Sequence, residues 1–214
     1  MTEKEVPTAM ETSEKTAPPN EAPEKEAFQF LLFGKYSYQG IIVREEGMKP
    51  YINLQPKFVI DSSGVYSNKP FGKVNVSIVE RLINTMMKSR KYTGKKMKAY
   101  KVVRDAFDII YERTKTNPIQ VFVDAIINSS PKEEITRLQY GGVSVPKAVD
   151  SSVYRRVSVS IRNIVKGAIE APKNKNNSIA HALANEIILA SKGDPNSFAV
   201  AKKSEVERIA SSAR

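Results

Sequence analysis

From residue 74 onward, the apolar positions of the chain recur every three to four residues. This is the period of one face of an amphipathic α-helix, and it is kept in three consecutive segments. The pattern predicts three helices whose apolar faces pack into a common core without a cofactor. The three faces are formed by Val76, Val79, Leu82, Ile83, Met86 and Met87; by Met97, Tyr100, Val103, Phe107, Ile110 and Tyr111; and by Val121, Phe122, Ala125 and Ile126.

Two of these helices have recognisable start signals. Ser77 and Glu80 have the spacing of a capping box, in which each side chain bonds the backbone amide of the other residue. Asn117 is followed by Pro118, which suits a cap with proline at the first helical position. We therefore expect helices to begin after Ser77 and after Asn117.

The helical period is interrupted within residues 134–149, where two strand-like runs flank Gly141 and Gly142. A Gly-Gly pair suits a two-residue hairpin turn, because both central positions need a positive φ. Pro146 lacks an amide donor and places its strand at a sheet edge. An isolated hairpin is barely stable in water. We interpret these residues, called the finger below, as a protruding β-hairpin that a partner holds.

Three further helices are predicted after the finger. Asp150 or Ser151 caps the fourth, Ser178 caps the fifth with Gly193 closing it, and the sixth lies around Lys202 to Ala210. Their apolar faces are formed by Val157, Ile161, Ile164, Val165 and Ala168; by Ile179, Leu183, Ile187 and Ile188; and by Val206 and Ile209.

The N-terminal part of the chain has a different composition. Residues 1–27 hold seven glutamates, three lysines and four prolines but no aromatic residue. Such a segment buries too little apolar surface to offset its ordering entropy, so we expect a disordered acidic tail. Residues 28–72 carry apolar runs of strand length separated by glycine and proline, which predict an arm with short strands. The expected fold is mainly α, with about six helices over residues 73–214.

The charge balance indicates a polyanionic partner. Lysine and arginine total 34 against 23 acids, which gives a net charge of +11, and subtracting the −4 of residues 1–27 leaves +15 on the rest. Such an excess attracts nucleic acid or an anionic membrane. No run of 18 apolar residues exists to span a membrane. A membrane-surface helix typically carries bulky Trp or Phe opposite its cations, and tryptophan is absent. Nucleic acid is therefore the favoured partner.

Catalytic and metal-binding patterns are missing from the sequence. The chain has no cysteine, and its single histidine, His181, lies between two alanines without metal-ligand spacing. Glu133 and Glu134 are better explained as flanking charges than as an acid–base pair. Gly141 and Gly142 lack the lysine and helix start of a phosphate loop. We therefore predict neither an enzyme nor a bound cofactor.

The cations are clustered in a way that a merely solvated surface does not require. Lysine and arginine neutralise phosphates and release counterions, which gives sequence-independent affinity for RNA or DNA. Tyr92 and Tyr140, expected to be exposed, can stack on unpaired bases. Eight cations and no acid lie between Lys88 and Arg104. The four clusters are 88–104, 155–166, 173–175 and 202–203.

Arg155 and Arg156 precede the apolar face of the fourth helix, which begins at Val157. Counted back from Val157, both positions lie away from the centre of that face. Cations in the first turn of a helix also oppose its macrodipole. We therefore expect both guanidinium groups to point outward, to contact phosphate and to be dispensable for folding.

Several motifs resemble those of the universal small-subunit ribosomal protein number seven family, in its archaeal and eukaryotic cytosolic form. They occur in family order and cover about residues 69–214. The motifs are Phe71-Gly72-Lys73, Ile78-Val79-Glu80-Arg81-Leu82-Ile83-Asn84, Gly94-Lys95-Lys96, Ala106-Phe107-Asp108-Ile109-Ile110, Asn117-Pro118-Ile119-Gln120-Val121, Tyr140-Gly141-Gly142, Ala148-Val149-Asp150, Arg155-Arg156-Val157 and Lys202-Lys203-Ser204-Glu205-Val206-Glu207-Arg208-Ile209-Ala210.

The resemblance implies about six helices with a protruding hairpin and a cytoplasmic, ribosomal location. It also implies binding to the 3′ domain of small-subunit rRNA, nucleation of head assembly, neighbouring ribosomal proteins as partners, and a finger near the exit-site tRNA and the mRNA. A free RNA-binding regulator of translation is the alternative, and an RNA-processing enzyme is a third class. The RNA-contacting residues would be Lys73, Lys91, Lys95, Lys96, Arg137, Arg155, Arg156, Arg162, Lys166, Lys202, Lys203 and Arg208. The finger and the loop at 171–177 add Tyr140, Gly141, Gly142, Lys147, Lys173 and Lys175.

Overall fold

The computed structural model describes residues 31–57, 59–89, 92–171 and 178–214, and in these ranges the fold is mainly α, as predicted. Six α-helices follow one another in the described ranges, and a two-stranded antiparallel hairpin separates the third from the fourth. Residues 1–27, Phe28, Lys91, Lys173 and Lys175, for which predictions were made, lie outside them. The elements are α1 Ile78–Met86, α2 Lys96–Thr114, α3 Pro118–Ser129, β1 Glu133–Tyr140, β2 Val143–Asp150, α4 Val153–Glu170, α5 Ile179–Lys192 and α6 Phe198–Ser212, with 3₁₀ turns at Glu46–Tyr51 and Gly72–Asn75.

The apolar faces predicted for the first five helices form one core, whereas Val206 and Ile209, the face predicted for the sixth helix, lie outside it. Helix α5 packs against α2, α3, α4 and α6, while α1 packs against α2 and α4. Buried alanines of α5, such as Ala184 and Ala190, allow these close approaches. Phe107 of α2 and Phe122 of α3 meet edge to face, with ring centroids 6.0 Å apart. Large aliphatic side chains of α1 and α4 complete the core. The helical spacing of apolar residues in the sequence therefore predicted most of the core residues correctly.

Two members of the predicted α2 face lie outside the core. Met97 is 69% exposed and Tyr111 is about half exposed. At about 100° per residue, Met97 lies about 120° around the helix from Val103, which is fully buried. Tyr111 instead packs beside Tyr36 of the N-terminal arm, with ring centroids 5.7 Å apart. The buried face of α2 is therefore narrower than predicted.

The caps predicted for α3 and α5 form, and the capping box predicted for α1 does not. The Asn117 side chain accepts a hydrogen bond from the Ile119 amide at the start of α3, and Ser178 accepts one from the His181 amide at the start of α5. Both caps are confirmed. The capping box at Ser77 is wrong, because the Ser77 side chain makes no cap hydrogen bond to the backbone of α1. The Glu80 carboxylate is used elsewhere and accepts hydrogen bonds from the Ser62 amide at 2.8 Å and from the Lys96 ammonium at 3.2 Å.

The cap predicted for the fourth helix is also wrong. Helix α4 begins after Ser152 rather than after Asp150 or Ser151. Strand β2 continues through Asp150, and the Ser151 amide donates to the carbonyl of Lys132, which extends the pairing by one step. Helix α6 also starts earlier than predicted, because Ser197 caps it.

In its described part, residues 31–57 and 59–72, the arm does not form the short strands that were predicted. Within 31–57 and 59–72 the structure contains isolated bridges and 3₁₀ turns only. The reason is that the backbone of the arm bonds to side chains of the helical body. Gln120 of α3 accepts from the Ile42 amide at 2.8 Å and donates to the Ile42 carbonyl at 3.0 Å. Leu32, Met48 and Ile52 are buried in the core.

The finger forms as predicted. Gly141 and Gly142 have φ of +54° and +88°, so the turn uses the conformations that glycine permits. Pro146 pairs with Arg137 in the register of the hairpin. The base of the hairpin is held by α6, since Glu207 accepts from the Lys132 amide at 2.9 Å. The tip is exposed, including Tyr140 at 67%.

Gly167→Ala provides a test of the α4–α5–α6 contact. A Cβ at this position would lie 2.8 Å from the Cβ of Phe198 and 2.9 Å from Cδ of Glu186. The buried Glu186 carboxylate accepts hydrogen bonds from Ser197 and from the Ala199 amide, so moving it also disturbs the start of α6. We expect a loss of about 1–3 kcal/mol in the free energy of unfolding, measured by urea titration.

Gly47→Ala is the matched control for this substitution. Gly47 has an ordinary φ, and no atom lies within 4 Å of a Cβ built there. The control should change the free energy of unfolding by less than about 0.5 kcal/mol. Equal stabilities for the two variants would contradict the packing described for Gly167.

Candidate nucleic-acid interface

A cationic cleft lies between α1 and α4. Its volume is about 150 Å³, and Val76 and Ile161 contribute apolar surface to it. Asn84, Thr85 and Ser158 contribute polar groups. No carboxylate is among the described residues that line it. Its cations are Lys73, Arg81, Lys88 and Arg162. We call this cavity, with all the lining residues named above, the α1–α4 cleft.

A larger groove adjoins this cleft and shares Thr85, Lys88 and Arg162 with it. The groove has a volume of about 510 Å³ and is walled mainly by apolar side chains of α4 and by residues flanking α1 and α5. Its walls include Tyr92, Val165, Ile169 and Ile179, with Lys166 and Glu170 at one side. A cationic cleft with no carboxylate among its described lining residues therefore lies beside a mainly apolar groove.

Tyr92 is not the exposed aromatic residue that was predicted. Its side chain is buried, and burial raises the pKa of its hydroxyl. The Lys98 ammonium lies 5.5 Å from the centre of its ring. Tyr92 therefore forms part of the groove wall, and an unpaired base cannot stack on it as on an exposed surface residue.

The orientation predicted for Arg156 is wrong. Its guanidinium is buried and donates to both carboxylate oxygens of Glu45, at 2.7 Å and 3.1 Å. It also donates to Ser130 at 3.3 Å. At about 100° per residue, Arg156 lies only about 40° from Ser160, a fully buried position of α4. Arg156 therefore joins the arm to α4 and is not available to phosphate.

Arg155 faces outward as predicted, about 160° around α4 from Val157. Its side chain is 63% exposed and donates to Glu134 of β1 at 2.6 Å. An exposed pair of this kind contributes little to stability. Arg155 can therefore exchange its carboxylate partner for a phosphate.

Lys96 is engaged by two carboxylates. Burial alone would lower the pKa of its ammonium, but hydrogen bonds to Asp61 at 2.6 Å and to Glu80 at 3.2 Å raise that pKa. The same contact lowers the pKa of Asp61. Lys96 joins α2 to the arm and to α1, whereas Lys95, at the N-cap position before it, is exposed.

The cations of α4 and α6 differ in whether they already contact another protein group. Arg208 is exposed. Lys202 pairs with Glu205 at 2.7 Å, and Lys203 donates to the Asn128 carbonyl at 2.9 Å. Lys166 lies 3.6 Å from Glu170, and its ammonium is 5.4 Å from the centre of the Phe198 ring. These residues lie on the outer faces of their helices, but most already have a protein contact.

The finger carries its predicted residues on the surface. Arg137, Tyr140 and Lys147 are exposed, on a hairpin whose turn at Gly141 and Gly142 meets no other part of the described chain within 4 Å of either built Cβ. A cation on each strand and an aromatic ring at the tip are a chemistry that suits phosphates and unpaired bases.

Phe71, Arg81 and Lys88 were not predicted from the sequence as site residues. Phe71 is 70% exposed, has a φ of +56° and meets the ring of Tyr154 edge to face at 5.3 Å. A non-glycine residue held at positive φ often marks a functional position. Lys88 was visible in the basic cluster at 88–104. Arg81 gave no signal, because it lies between apolar positions of α1.

Metal and membrane sites are not found in the described part of the chain. No group of three or more acidic, histidine or cysteine side chains there can hold a metal ion. None of the described helices combines the length and apolarity needed to cross a membrane. The ring of His181 contacts the Ser178 hydroxyl at 2.9 Å, beside the cap of α5.

Charge reversal at Arg155 and Arg156, tested separately, should give different results. Arg156→Glu would place a second carboxylate against the partly exposed Glu45 and leave the buried charge at position 156 unpaired, at a cost of about 3 kcal/mol. Arg155→Glu loses only an exposed pair and should change stability by less than about 1 kcal/mol. Denaturant titration of both variants measures this difference, and equal losses would contradict the structural role of Arg156.

The fold and the cleft also occur in a region of clear similarity to known proteins. A family model described as ribosomal protein S7p/S5e matches residues 48–214. The small ribosomal subunit protein uS7 of Archaeoglobus fulgidus is 52% identical over 186 residues, which cover 87% of this chain and 96% of that protein. The uS7 protein of Thermoplasma volcanium is 49% identical over 184 residues, which cover 86% of this chain and all of that protein. The matched region contains the six helices, the finger and the α1–α4 cleft, and the chain therefore belongs to the ribosomal protein S7p/S5e family.

Proposed function

We propose that this protein is a structural component of the small ribosomal subunit that binds the 3′ domain of small-subunit rRNA and nucleates assembly of the head. The observation that carries the proposal is the α1–α4 cleft, where four cations meet without a carboxylate among the described lining residues. Family membership supports the ribosomal role, since the similar proteins are named as small-subunit proteins.

RNA binding in this proposal depends on shape and charge. The deep groove of an A-form helix is closed to side chains, so a protein recognises folded RNA through phosphates, 2′-hydroxyls and unpaired bases. The α1–α4 cleft presents cations to phosphates, and Arg155 and Arg208 add exposed guanidinium groups outside it. Arginine is suited to this role because its planar fork bonds two phosphate oxygens at once.

The finger has a separate task in this proposal. We assign it to the neighbourhood of the exit-site tRNA and the mRNA path, with neighbouring small-subunit proteins as further partners. Its exposed cations and Tyr140 support a nucleic-acid contact, while Val143 and Val145, also exposed, suit a protein or base contact. The family is one of structural ribosomal proteins rather than enzymes, and we place the protein in the cytoplasm on the ribosome.

Binding to a 3′-domain rRNA fragment should weaken steeply with salt. Each neutralised phosphate contributes roughly 0.7–0.9 to the slope of log affinity against log salt. With about five to eight contacts, the slope should be steeper than about −3. Anisotropy titrations over a range of KCl concentrations measure it, and a nearly flat dependence would exclude the electrostatic model. Co-sedimentation with small subunits at high salt then separates a ribosomal component from a free regulator.

Gly141→Val should damage the function of the finger without unfolding the body. A β-branched residue is poorly tolerated at a φ of +54°, although space for the side chain exists. We expect rRNA affinity within about twofold of wild type and an unchanged melting temperature, because the tip contacts no part of the core. Incorporation into subunits should be kept, whereas translation by those subunits should fall.

Gly141→Asn is the matched control, because asparagine followed by glycine is favoured in a two-residue turn with positive φ. This variant should translate at close to the wild-type rate. An equally large loss of translation in both variants would mean that the turn conformation is not what matters, and a large fall in melting temperature for Gly141→Val would place the hairpin in the folding core.

A further inference from the structure

Arg81 of α1 is a buried arginine without a counterion among the residues that the structure describes. The residue as a whole is 7% exposed. The guanidinium donates to the Tyr51 carbonyl at 3.1 Å and to the Ser158 hydroxyl at 3.1 Å, both neutral groups. A guanidinium has five N–H donors, so these two bonds leave others for a ligand.

Arg156 shows what a buried arginine ordinarily requires in this fold. It is buried to the same extent, 8% exposed, but it forms a two-point ion pair with Glu45. A buried charge without such a partner is costly, since it loses hydration and receives only dipoles in return. Burial lowers the pKa of Arg81, yet arginine remains charged at neutral pH. The free protein therefore keeps an incompletely compensated positive charge at this point.

The surroundings of Arg81 increase this positive potential. Lys73, Lys88 and Arg162 line the same cleft, and none of the three has a carboxylate within 4 Å in the described part of the protein. The cleft volume of about 150 Å³ is about ten times the roughly 10–15 Å³ that a cavity needs to hold one water molecule. A tetrahedral oxyanion fits such a space.

The neighbouring groove indicates where the anion comes from. Thr85, Lys88 and Arg162 line both cavities, and beyond them Val165 and Ile169 form apolar walls. A free inorganic ion would make no use of an apolar extension. A nucleotide chain would, because each sugar between its phosphates carries a base whose flat π face can pack on an apolar wall.

We propose that the α1–α4 cleft binds a single phosphodiester group of the rRNA, with the buried Arg81 as its central ligand and Lys73, Lys88 and Arg162 around it. This inference rests on the proposed function and assigns one backbone phosphate to a defined site. Arg81 is held in place by Tyr51 and Ser158 before RNA arrives, so the site is preorganised. The phosphate supplies the counterion that Arg81 lacks among the described residues.

The test compares Arg81→Met with Arg156→Met in the full-length protein. Arg81→Met should weaken binding of the 3′-domain rRNA fragment about tenfold or more, as expected for a charged hydrogen bond. It should also reduce the salt slope by roughly 0.7–0.9, the contribution of one phosphate. The melting temperature should change little, because an unpaired buried charge is removed. Arg156→Met should show the reverse, with a lower melting temperature and an unchanged slope.

A second variant keeps the test independent of the folding of Arg81→Met. Lys88 and Arg162 are exposed, so Lys88→Met with Arg162→Met preserves the core while removing two cations of the cleft. Because both cations surround the same phosphate, its salt slope should fall by up to the roughly 0.7–0.9 that this one phosphate contributes. Lys192→Met, an exposed lysine of α5 that lines neither cavity, is the control and should change the slope less.

The outcomes separate this inference from the proposed function. Wild-type binding with a flat salt dependence would exclude the proposed function itself. Wild-type binding with a steep slope that neither cleft variant reduces would overturn the phosphate site alone. Melting curves in sodium phosphate and in sodium chloride of equal ionic strength add a third readout. Stabilisation by phosphate that requires Arg81, together with an unchanged RNA slope, would assign the cleft to free phosphate and overturn the proposal.

Discussion

The structure depends on the burial of α5 among its neighbours. Helices α2, α3, α4 and α6 all pack against it, and its alanine-rich sequence brings them close enough to share one core. This arrangement takes the apolar faces of the body inward and leaves the lysines and arginines on outer faces, at helix ends and on the finger. A protein with a strongly positive body can fold in this way because its like charges are spread over the surface, where water and salt screen them.

Two arginines depart from this separation, and they do so in different ways. Arg156 is stabilised by Glu45, which ties the arm to α4 and makes the arm part of the folded body. Among the described residues, Arg81 is stabilised only by a carbonyl and a hydroxyl. Two arginines that are buried to the same extent thus have different effects. Arg156 joins two parts of the fold, whereas Arg81 keeps a positive charge that is incompletely compensated. A site that binds a polyanion gains affinity from such a charge. The charge destabilises the free protein, and the bound anion compensates it, so binding stabilises the folded state.

Local patterns in the sequence were sufficient for the number and order of the helices, for the caps at Asn117 and Ser178, and for the turn at Gly141, but not for the starts of α4 and α6. Each of these depends on residues within a few positions of one another. The arm was mispredicted because its partners are distant along the chain: the backbone of Ile42 bonds to Gln120, 78 residues away. Arg156 was misplaced for the same reason, since Glu45 is 111 residues away. The excess of cations was visible in the composition of the sequence. Their meeting in one cleft was not, because it depends on the packing of α1 beside α4.

The attachment of the finger couples the two proposed tasks of the protein. Helix α6 holds the base of the hairpin through Glu207 and through a backbone bond from Ala148 to Ala213. The same helix carries Lys202, Lys203 and Arg208, and it packs on α4, whose Arg162 lines the cleft. A rigid chain of contacts therefore runs from the cleft through α4 and α6 to the hairpin. In the proposed complex with RNA, α6 sets the direction of the finger, because it holds the base of the hairpin. A short hairpin that would be marginally stable alone is thereby held in one orientation.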